Sequence, residues 1–331
     1  MRGVDYVPAK WVQHMRHSHL KSFARKQCAD GVVVGSVHLR QPVLTASGTA
    51  GHAAELNHYF DMSEIGATVV KSLFASPWPG NPAPRVHPTP AGMINAVGLQ
   101  GPGVTKWCAE DLPECEKHGV TIVASIWGRT VDEYRQAAEM LAPHAHRIAA
   151  LEVNLSCPNL EGRGGIIAHD AEMSASVISA CAVAGVPLWA KLSPNTDRLI
   201  AIAESVVEAG AESLTLTNTL LGMILNTDSA RPVLGNGGGG VSGRAMFPVA
   251  LRAVFDVRKA MPLIPIVGVG GIASGNDAIA MMQAGAHAVQ VGTASFARPD
   301  AAMKILNEMH SWMRKQGISQ WSDVTDAAHR P

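Results

Sequence analysis

The hydrophobic positions repeat one pattern from about residue 40 onward. A helix-like segment ends at a glycine, a short apolar run rich in β-branched residues follows, and a polar or glycine-rich turn comes next. Glycine suits the left-handed position that ends many helices, because it has no Cβ. Runs that are apolar on both faces are typical of strands in a buried parallel sheet. The helix-ending glycines are Gly119, Gly185, Gly210 and Gly285.

Eight apolar runs of this kind are expected to form strands, most of them followed by a helix. Thr130 with Glu133, and Ser274 with Asp277, have capping-box spacing and predict the starts of two helices. Because no composition break divides the chain, we predict a single domain of the α/β class, a closed (β/α)8 TIM barrel. The predicted strands are Val43–Ala46, Thr68–Lys71, Thr121–Ser125, Leu151–Asn154, Leu188–Lys191, Leu214–Asn218, Ile264–Val269 and Ala288–Val291.

The two ends of the chain differ from this pattern. We place an N-terminal extension at residues 1–35, the barrel at 36–318 and a C-terminal tail at 319–331. The basic stretch at 11–26 allows two interpretations, a flexible extension or a helix that docks on a membrane or a partner. Its apolar residues are spaced too irregularly to favour the helix.

Composition excludes several classes of protein. Hydrophobic residues make up 47% and charged residues 16% of the 331, which suits a large core and not a disordered chain. The 27 basic and 27 acidic residues balance, so nothing indicates nucleic-acid binding. None of the five cysteines forms a C-x-x-C pair, so neither a metal site nor a disulfide framework is expected. With no signal peptide and no long apolar run, we expect a cytoplasmic protein without a membrane segment.

Polar residues recur where the predicted strands end. In a barrel those ends form one rim, and active sites lie at that rim. The longest irregular insertions, residues 73–103, 155–170 and 219–245, also follow strands, and long loops in a compact domain are usually functional. Six polar groups converging there would be costly to bury without a ligand. They are Ser47, Lys71, Ser125, Asn154, Lys191 and Asn218.

Two glycine-rich segments, GVGGIASG at 268–275 and VGTASF at 291–296, follow the seventh and eighth strands. Loops at these positions of a barrel often bind a cofactor phosphate, although two tight turns without a ligand are the alternative. Residues 268–273 also satisfy the dinucleotide fingerprint G-x-G-x-x-A. The acidic residue that this fingerprint expects about 20 residues later is Gln290 here, which favours the barrel.

The segment NLSCPN at 154–159 resembles the active-site loop of dihydroorotate dehydrogenases. Further matches follow the family's order over roughly residues 38–300. A cysteine in this loop, where the membrane-bound quinone-linked class has serine, indicates the cytosolic classes, and two of the motifs, NAVGLQ and GNPAPR, are most similar to the NAD-linked class 1B. The matches are ASG at 46–48, KS at 71–72, GNPAPR at 80–85, NAVGLQ at 95–100, KLSPN at 191–195, TNTLLGM at 217–223, GGVSG at 239–243, GVGGI at 268–272 and VGTASF at 291–296.

The resemblance implies FMN-dependent oxidation of (S)-dihydroorotate to orotate in de novo pyrimidine biosynthesis, with Cys157 as general base and hydride transfer to FMN. It implies no metal site. FMN would be bound by Ser47, Lys71, Ser72, Ser125, Asn154, Lys191, Thr217, Gly243, Gly270, Gly271, Gly292 and Thr293. The substrate would be bound by Lys71, Asn95, Ala96, Val97, Gly98, Leu99, Asn154, Asn159, Asn218 and Thr219.

The residue types suit this chemistry. A thiol has a pKa of about 8.5 that its neighbours can lower, so Cys157 can serve as a base. Lysines at strand ends would stabilise the reduced flavin anion, although an ion pair with Glu152 is the alternative for Lys191. Asparagine supplies both a donor and an acceptor, as the edge of a pyrimidine requires. His169 is the alternative base.

The resemblance also implies partners. We expect a homodimer that works, as class 1B does, with a second subunit carrying FAD and an iron–sulfur cluster; a homodimer that uses fumarate alone is the alternative. Two features depart from class 1B: Ser125 replaces a flavin-contacting asparagine, and LEGRGGIIAHD at 160–170 is unusual. A flavin barrel acting on uracil or thymine, as in dihydropyrimidine dehydrogenases, and a non-catalytic phosphate-binding barrel are the competing hypotheses.

Overall fold

The computed structural model describes residues 31–156 and 167–331. Each barrel strand is buried along its length. In chain order the strands are β1 (Val32–Val34), β2 (Val37–Leu39), β3 (Val43–Thr45), β4 (Ala67–Val69), β5 (Val86–Thr89), β6 (Gly92–Asn95), β7 (Ile122–Ile126), β8 (Ala150–Asn154), β9 (Leu188–Leu192), β10 (Ser213–Leu216), β11 (Leu220–Gly222), β12 (Leu225–Asn226), β13 (Arg231–Pro232), β14 (Gly239–Ser242), β15 (Ile266–Val269) and β16 (Ala288–Val291).

The helices alternate with the barrel strands and form the outer layer. They are α1 (Val104–Lys106), which runs through a π turn (Trp107–Asp111) into α2 (Leu112–Lys117), then α3 (Val131–Leu141), α4 (Ala171–Cys181), α5 (Leu199–Glu208), α6 (Phe247–Ala260), α7 (Gly275–Gln283), α8 (Ala294–Ala297) and α9 (Ala301–Gln316). In α3 the buried residues are Tyr134, Ala137, Ala138 and Leu141, the spacing of one helix face. None of the helices in the described ranges is both long and apolar enough to cross a bilayer.

Eight parallel strands close into a barrel in the order β3, β4, β7, β8, β9, β10, β15, β16, with β16 paired back to β3. All eight predicted strands are confirmed, with ends that shift by at most two residues. The predicted glycines end helices at positive φ, from +63° at Gly119 to +122° at Gly285. Both capping boxes form, with Thr130 and Ser274 accepting the expected backbone N–H. The dinucleotide-binding alternative is wrong, because the strands close into one barrel.

Two of the predicted insertions, 73–103 and 219–245, pair with each other in a second sheet. Its four antiparallel strands lie in the order β11, β14, β6, β5. The register places Asn95 of β6 opposite Gly240 of β14. A hydrogen bond of 2.8 Å from Thr293 Oγ1 to Ser242 Oγ joins the end of β14 to the turn after β16. The second sheet therefore lies against the carboxyl rim of the barrel.

Candidate active site

The carboxyl rim carries a continuous set of hydrogen-bonded side chains, which we call the rim chain. Ser72 Oγ lies at its centre, 3.2 Å from Ser47 Oγ and 2.9 Å from Ser125 Oγ. Asn154 Nδ2 donates to the same hydroxyl over 3.3 Å, and Asn218 Nδ2 donates to Asn154 Oδ1 over 3.0 Å. These side chains lie at or just beyond the ends of five barrel strands. Barrel closure thus brings together four of the six polar residues that were predicted to converge, Ser47, Ser125, Asn154 and Asn218.

The rim chain keeps a defined capacity for a ligand. A serine hydroxyl has one donor and two acceptor positions, and Ser72 uses all three with its three partners. Asn154 Oδ1 accepts from Asn218 and from the backbone N–H of Ser156. Asn218 Oδ1 accepts the backbone N–H of Thr219 at 2.8 Å. Within the described residues, each asparagine therefore keeps one amide N–H for a ligand oxygen.

Asn154 is also held through its backbone. Tyr134, fully buried on α3, donates its hydroxyl to the carbonyl oxygen of Asn154 over 2.6 Å. A buried tyrosine hydroxyl needs such a partner, so the helix fixes the rim from behind. Tyr134 was not among the predicted site residues, because its place in an apolar helical stripe indicates packing and nothing more.

The predicted base Cys157 and the predicted substrate residue Asn159 lie outside the described residues. The described chain on either side of them comes together at the rim, where Ala168 N donates to Leu155 O over 3.0 Å. His169, the alternative base, lies in the short 3-10 turn before α4. Its Nε2 is buried and has no hydrogen-bond partner among the described residues. The identity of the base therefore stays a prediction.

Lys71 follows β4 and lines an open cleft of about 630 Å³ with His52 and Trp78. A Cβ on Gly48 would lie 3.5 Å from Lys71 Nζ, so the ammonium group lies over the turn that carries Ser47. Burial lowers the pKa of Lys71, and no carboxylate in the described part of the chain offsets that effect. Burial, followed by the charge of Lys71, also lowers the pKa of His52. The cleft therefore presents a cation that no carboxylate of residues 31–156 or 167–331 pairs with, which suits an anionic ligand.

Lys191 lies inside the barrel with two polar partners. Its Nζ is 3.0 Å from Glu152 Oε1 and 3.5 Å from Gln290 Oε1. Gln290 Nε2 donates to Glu152 Oε2 over 2.6 Å, across the barrel from β16 to β8. The alternative ion pair between Lys191 and Glu152 is confirmed. An ammonium group has three donors, so the predicted flavin contact is compatible with this pair and stays a prediction.

The two predicted phosphate turns contain glycines that packing alone requires. Gly270 and Gly271 have φ angles of +132° and +74°. A Cβ on Gly271 would lie 2.6 Å from the backbone nitrogen of Phe247 at the start of α6. One on Gly292 would lie 3.3 Å from Ala46 Cβ, a tight but smaller conflict. Because packing accounts for these glycines, their role in phosphate binding stays a prediction.

Hydroxyl groups beside these turns suit a polar ligand. Thr217 is 2% exposed, and its Oγ1 has no hydrogen-bond partner among the described residues. A buried hydroxyl without a partner is costly, so a ligand oxygen or nitrogen at this point would stabilise the protein. Gly243 approaches the second sheet so closely that its Cβ would lie 2.5 Å from Gly92 Cα. The unpartnered Thr217 hydroxyl therefore fits a cofactor with polar atoms, such as a flavin, at this point of the rim.

The predicted substrate segment, residues 95–99, forms the end of β6 and the turn after it. Asn95 Nδ2 donates to Gly240 O over 3.3 Å. Gly98 has a φ of +73° and Leu99 a φ of +57°, a left-handed conformation that leucine rarely adopts. Ala96 is buried, and Val97 lines the cleft beside Lys71.

A further residue that the sequence analysis missed is Asn195, the last of the KLSPN motif. Its Nδ2 donates to Thr219 O over 2.9 Å, and its Oδ1 accepts from Leu221 N over 2.9 Å. This amide fixes the chain that carries the predicted substrate residue Thr219. The signal was present in the motif, but a lone asparagine after a strand is usually a turn residue.

The sequence model of the dihydroorotate dehydrogenase family matches residues 32–313 of this chain. Similar curated proteins are named "Dihydroorotate dehydrogenase B (NAD(+)), catalytic subunit". The one from Trichlorobacter lovleyi is 43% identical over 300 residues, which cover 90% of this chain and 98% of that protein. The one from Pelobacter propionicus is 42% identical over 297 residues, covering 89% of this chain and 97% of its own length. The one from Desulforudis audaxviator is 43% identical over 300 residues, with 90% and 97% covered.

Proposed function

The chain belongs to the dihydroorotate dehydrogenase family and is an oxidoreductase, and on that premise we propose that it catalyses the FMN-dependent oxidation of (S)-dihydroorotate to orotate in pyrimidine biosynthesis. The observation that carries the proposal is Lys71, which lines the cleft beside the rim chain and has no ion-pair partner among the described residues. Dihydroorotate carries a carboxylate on a ring of alternating C=O and N–H groups. One cation and two free amide N–H groups at one rim suit such a molecule.

Flavin binding would use the rim and the two glycine turns. Ser47, Ser72 and Ser125 would face the flavin ring through the rim chain, and Thr217 Oγ1 would gain the partner that the described residues do not provide. Gly270, Gly271, Gly292 and Thr293 would surround the phosphate, and Gly243 would hold another part of the cofactor. When bound, the flavin supplies the hydride acceptor, since no side chain can take a hydride.

The chain's own residues would bind the substrate and move its proton. Asn154 and Asn218 would donate to ring oxygens, and Lys71 would hold the negative charge. Cys157 would remove the proton from C5 of dihydroorotate as the hydride leaves C6. Proton removal by a placed side chain is commonly worth about 10²–10⁴-fold in rate.

The cofactor is tested by denaturing the purified holoprotein and identifying the flavin that is released. We expect FMN, held without a covalent bond. Release of FAD, or a colourless protein that takes up no flavin on reconstitution, contradicts the proposal. The substrate class is tested by anaerobic reduction of the bound flavin with dihydroorotate and with dihydrouracil. Reduction by dihydrouracil alone would favour the uracil- or thymine-specific barrel.

We propose a second subunit with FAD and an iron–sulfur cluster as the route to NAD. Relatives with this activity in their names are called catalytic subunits, which supports a partner. The test is steady-state turnover of the purified chain with NAD, fumarate or an artificial dye. Dye reduction without NAD reduction is expected. Fast turnover with fumarate would place the chain in the fumarate-linked class, and fast NAD reduction by the chain alone would refute the partner.

A further inference from the structure

Two stretches of the first insertion run side by side beside the cleft. Trp78 and Gly101 exchange both backbone hydrogen bonds at 3.0 Å. Further along, Asn81 N donates to Val97 O over 3.1 Å, and Ala96 N donates to Arg85 O over 2.8 Å. The stretch 78–85 is thus paired with the chain that contains the predicted substrate segment 95–99.

Arg85 ties this arrangement together from one side. Its Nε donates to Asn81 O, one Nη donates to Pro79 O over 3.1 Å, and the other Nη donates to Gln100 Oε1. The guanidinium group therefore joins two carbonyls of the first stretch to a side chain at the end of the second. A planar fork of five donors can make these three contacts at once, and an ammonium group cannot reproduce that geometry.

The segment that Arg85 holds is strained. Leu99 has a φ of +57°, and a left-handed residue other than glycine persists only where its surroundings enforce that conformation. Asn81 lies against Gly98 so closely that a Cβ there would be 2.5 Å from Asn81 Cγ. Asn81 Nδ2 also donates to Ala96 O over 3.1 Å. The contacts from the first stretch are what keep the strained turn in place.

We propose that Arg85 is a positioning residue, which pre-organises residues 95–99 for the substrate by locking the strained turn at Gly98 and Leu99. The inference rests on the proposed function, because it takes that segment as the binding site for dihydroorotate. Arg85 does not itself touch the substrate in this proposal. Its contribution is to remove the cost of ordering the segment when the substrate binds.

The test compares Arg85→Met and Arg85→Lys with Arg252→Met in the FMN-loaded protein. Arg252 is an exposed arginine of α6 that pairs with Asp256 on the same helix, so it controls for the loss of an arginine. Misplacement of a binding segment by about 1 Å can cost roughly 10²-fold, so we expect kcat/KM for dihydroorotate to fall about 10- to 100-fold in both Arg85 variants. The loss should appear mainly in KM and in the Kd of orotate, read from its perturbation of the flavin spectrum. FMN content should stay at the wild-type level.

Two further readouts separate positioning from a general loss of structure. Added guanidinium, below denaturing concentration, should restore part of the orotate affinity of Arg85→Met and none of that of Arg85→Lys. Hydrogen–deuterium exchange should speed up in residues 95–101 and stay unchanged in the barrel strands. Unchanged exchange there, or KM and orotate Kd within about twofold of wild type, overturns the proposal. Hydrogen exchange does not require turnover, so it tests the role of Arg85 even if the wild-type enzyme is inactive with dihydroorotate. Inactivity of the wild-type enzyme would contradict the proposed function alone.

Discussion

At the carboxyl rim of the barrel, the polar side chains hydrogen-bond to one another and still have donors that no described residue uses. At the opposite end of the barrel, the guanidinium group of Arg258 donates to backbone carbonyl oxygens. Arg258 is 3% exposed, donates to Pro262 O over 2.7 Å and to Gly285 O over 2.8 Å, and pairs with Asp326 at 2.9 Å. It also contacts His287 Nδ1 at 3.1 Å. We call these residues the base cluster.

The difference between the two ends separates stability from function. A buried polar group whose partners all come from the protein contributes to the folded state and leaves nothing for a ligand. Asn154, Asn218 and Lys71 at the rim still have unused donors within the described residues. Substitutions in the base cluster should therefore lower the free energy of unfolding and leave activity intact. Substitutions at the rim should lower activity and leave the free energy of unfolding intact.

The largest effect is expected for Cys157→Ala. Loss of a general base commonly costs about 10²–10⁴-fold, so flavin reduction by dihydroorotate should slow by that factor, with FMN and orotate still bound. Stopped-flow absorbance of the flavin measures the rate. Cys157→Ser should keep some activity, shifted to higher pH, because a hydroxyl is harder to deprotonate.

Near-normal flavin reduction by the alanine variant would move the base to another residue. His169→Ala, in the same background, is then the next variant to measure. The control is the unfolding temperature of Cys157→Ala, which should equal that of wild type if Cys157 serves function and not stability.

The next largest effect is expected for Lys71→Met. Removing one preorganised charge or donor from an active site typically costs about 10²–10³-fold in rate, so turnover should fall by about that amount. Burial lowers the pKa of Lys71, so the charge should be lost at a pH below the usual lysine range. Wild-type kcat/KM should accordingly decline at alkaline pH, and the variant should lack that decline. If kcat/KM of the variant declines at alkaline pH as that of wild type does, the decline belongs to another titrating group.

The base cluster predicts a pH dependence of stability. Burial, followed by the charge of Arg258, lowers the pKa of His287 from 6.5 to about 4. Below pH 6.5 the unfolded chain binds a proton at His287 that the folded chain refuses, so the stability present above pH 6.5 is lost as pH falls to about 4. A shift of this size corresponds to about 3 kcal/mol. His287→Gln should flatten the fall in the free energy of unfolding over this window.

The matched control is His38→Gln, an exposed histidine of β2. It should leave the acid limb unchanged, and both variants should keep wild-type flavin reduction at neutral pH. Loss of activity in His287→Gln at neutral pH would show that the base cluster contributes to function as well as to stability.

The barrel was predictable because its signals are local. Each buried strand is a short apolar run, and glycines or a capping pair such as Ser274 and Asp277 mark several of the helix boundaries. The second sheet was not predictable in the same way, because β6 and β14 pair across about 145 residues, as Asn95 and Gly240 do. No local pattern encodes a pairing of that separation.

The location of the site residues could be predicted from the sequence, but most of their hydrogen-bond partners could not. The rim residues Ser47, Asn154 and Asn218 could be expected to converge, because the carboxyl ends of barrel strands always meet. Which atoms bond to which depends on the barrel's closure, and so do the contacts of Gln290 with Glu152. Arg85 and Asn195 were within recognised motifs, but their contacts depend on how the insertions fold back.

The smallest effect expected is for Ser274→Ala, which tests whether every rim position is functional. Ser274 accepts from Asp277 N over 3.2 Å at the start of α7, and losing such a cap costs about 1 kcal/mol. Thr130→Ala removes the equivalent cap of α3 and should lower the unfolding temperature by a similar few degrees. Only Ser274 follows the glycine turn predicted to bind phosphate, so only its variant should also weaken FMN binding, measured by flavin fluorescence on dilution. Equal FMN affinity in the two variants would mean that the start of α7 contributes to stability alone. Some residues at the rim would then serve the fold and others the ligand.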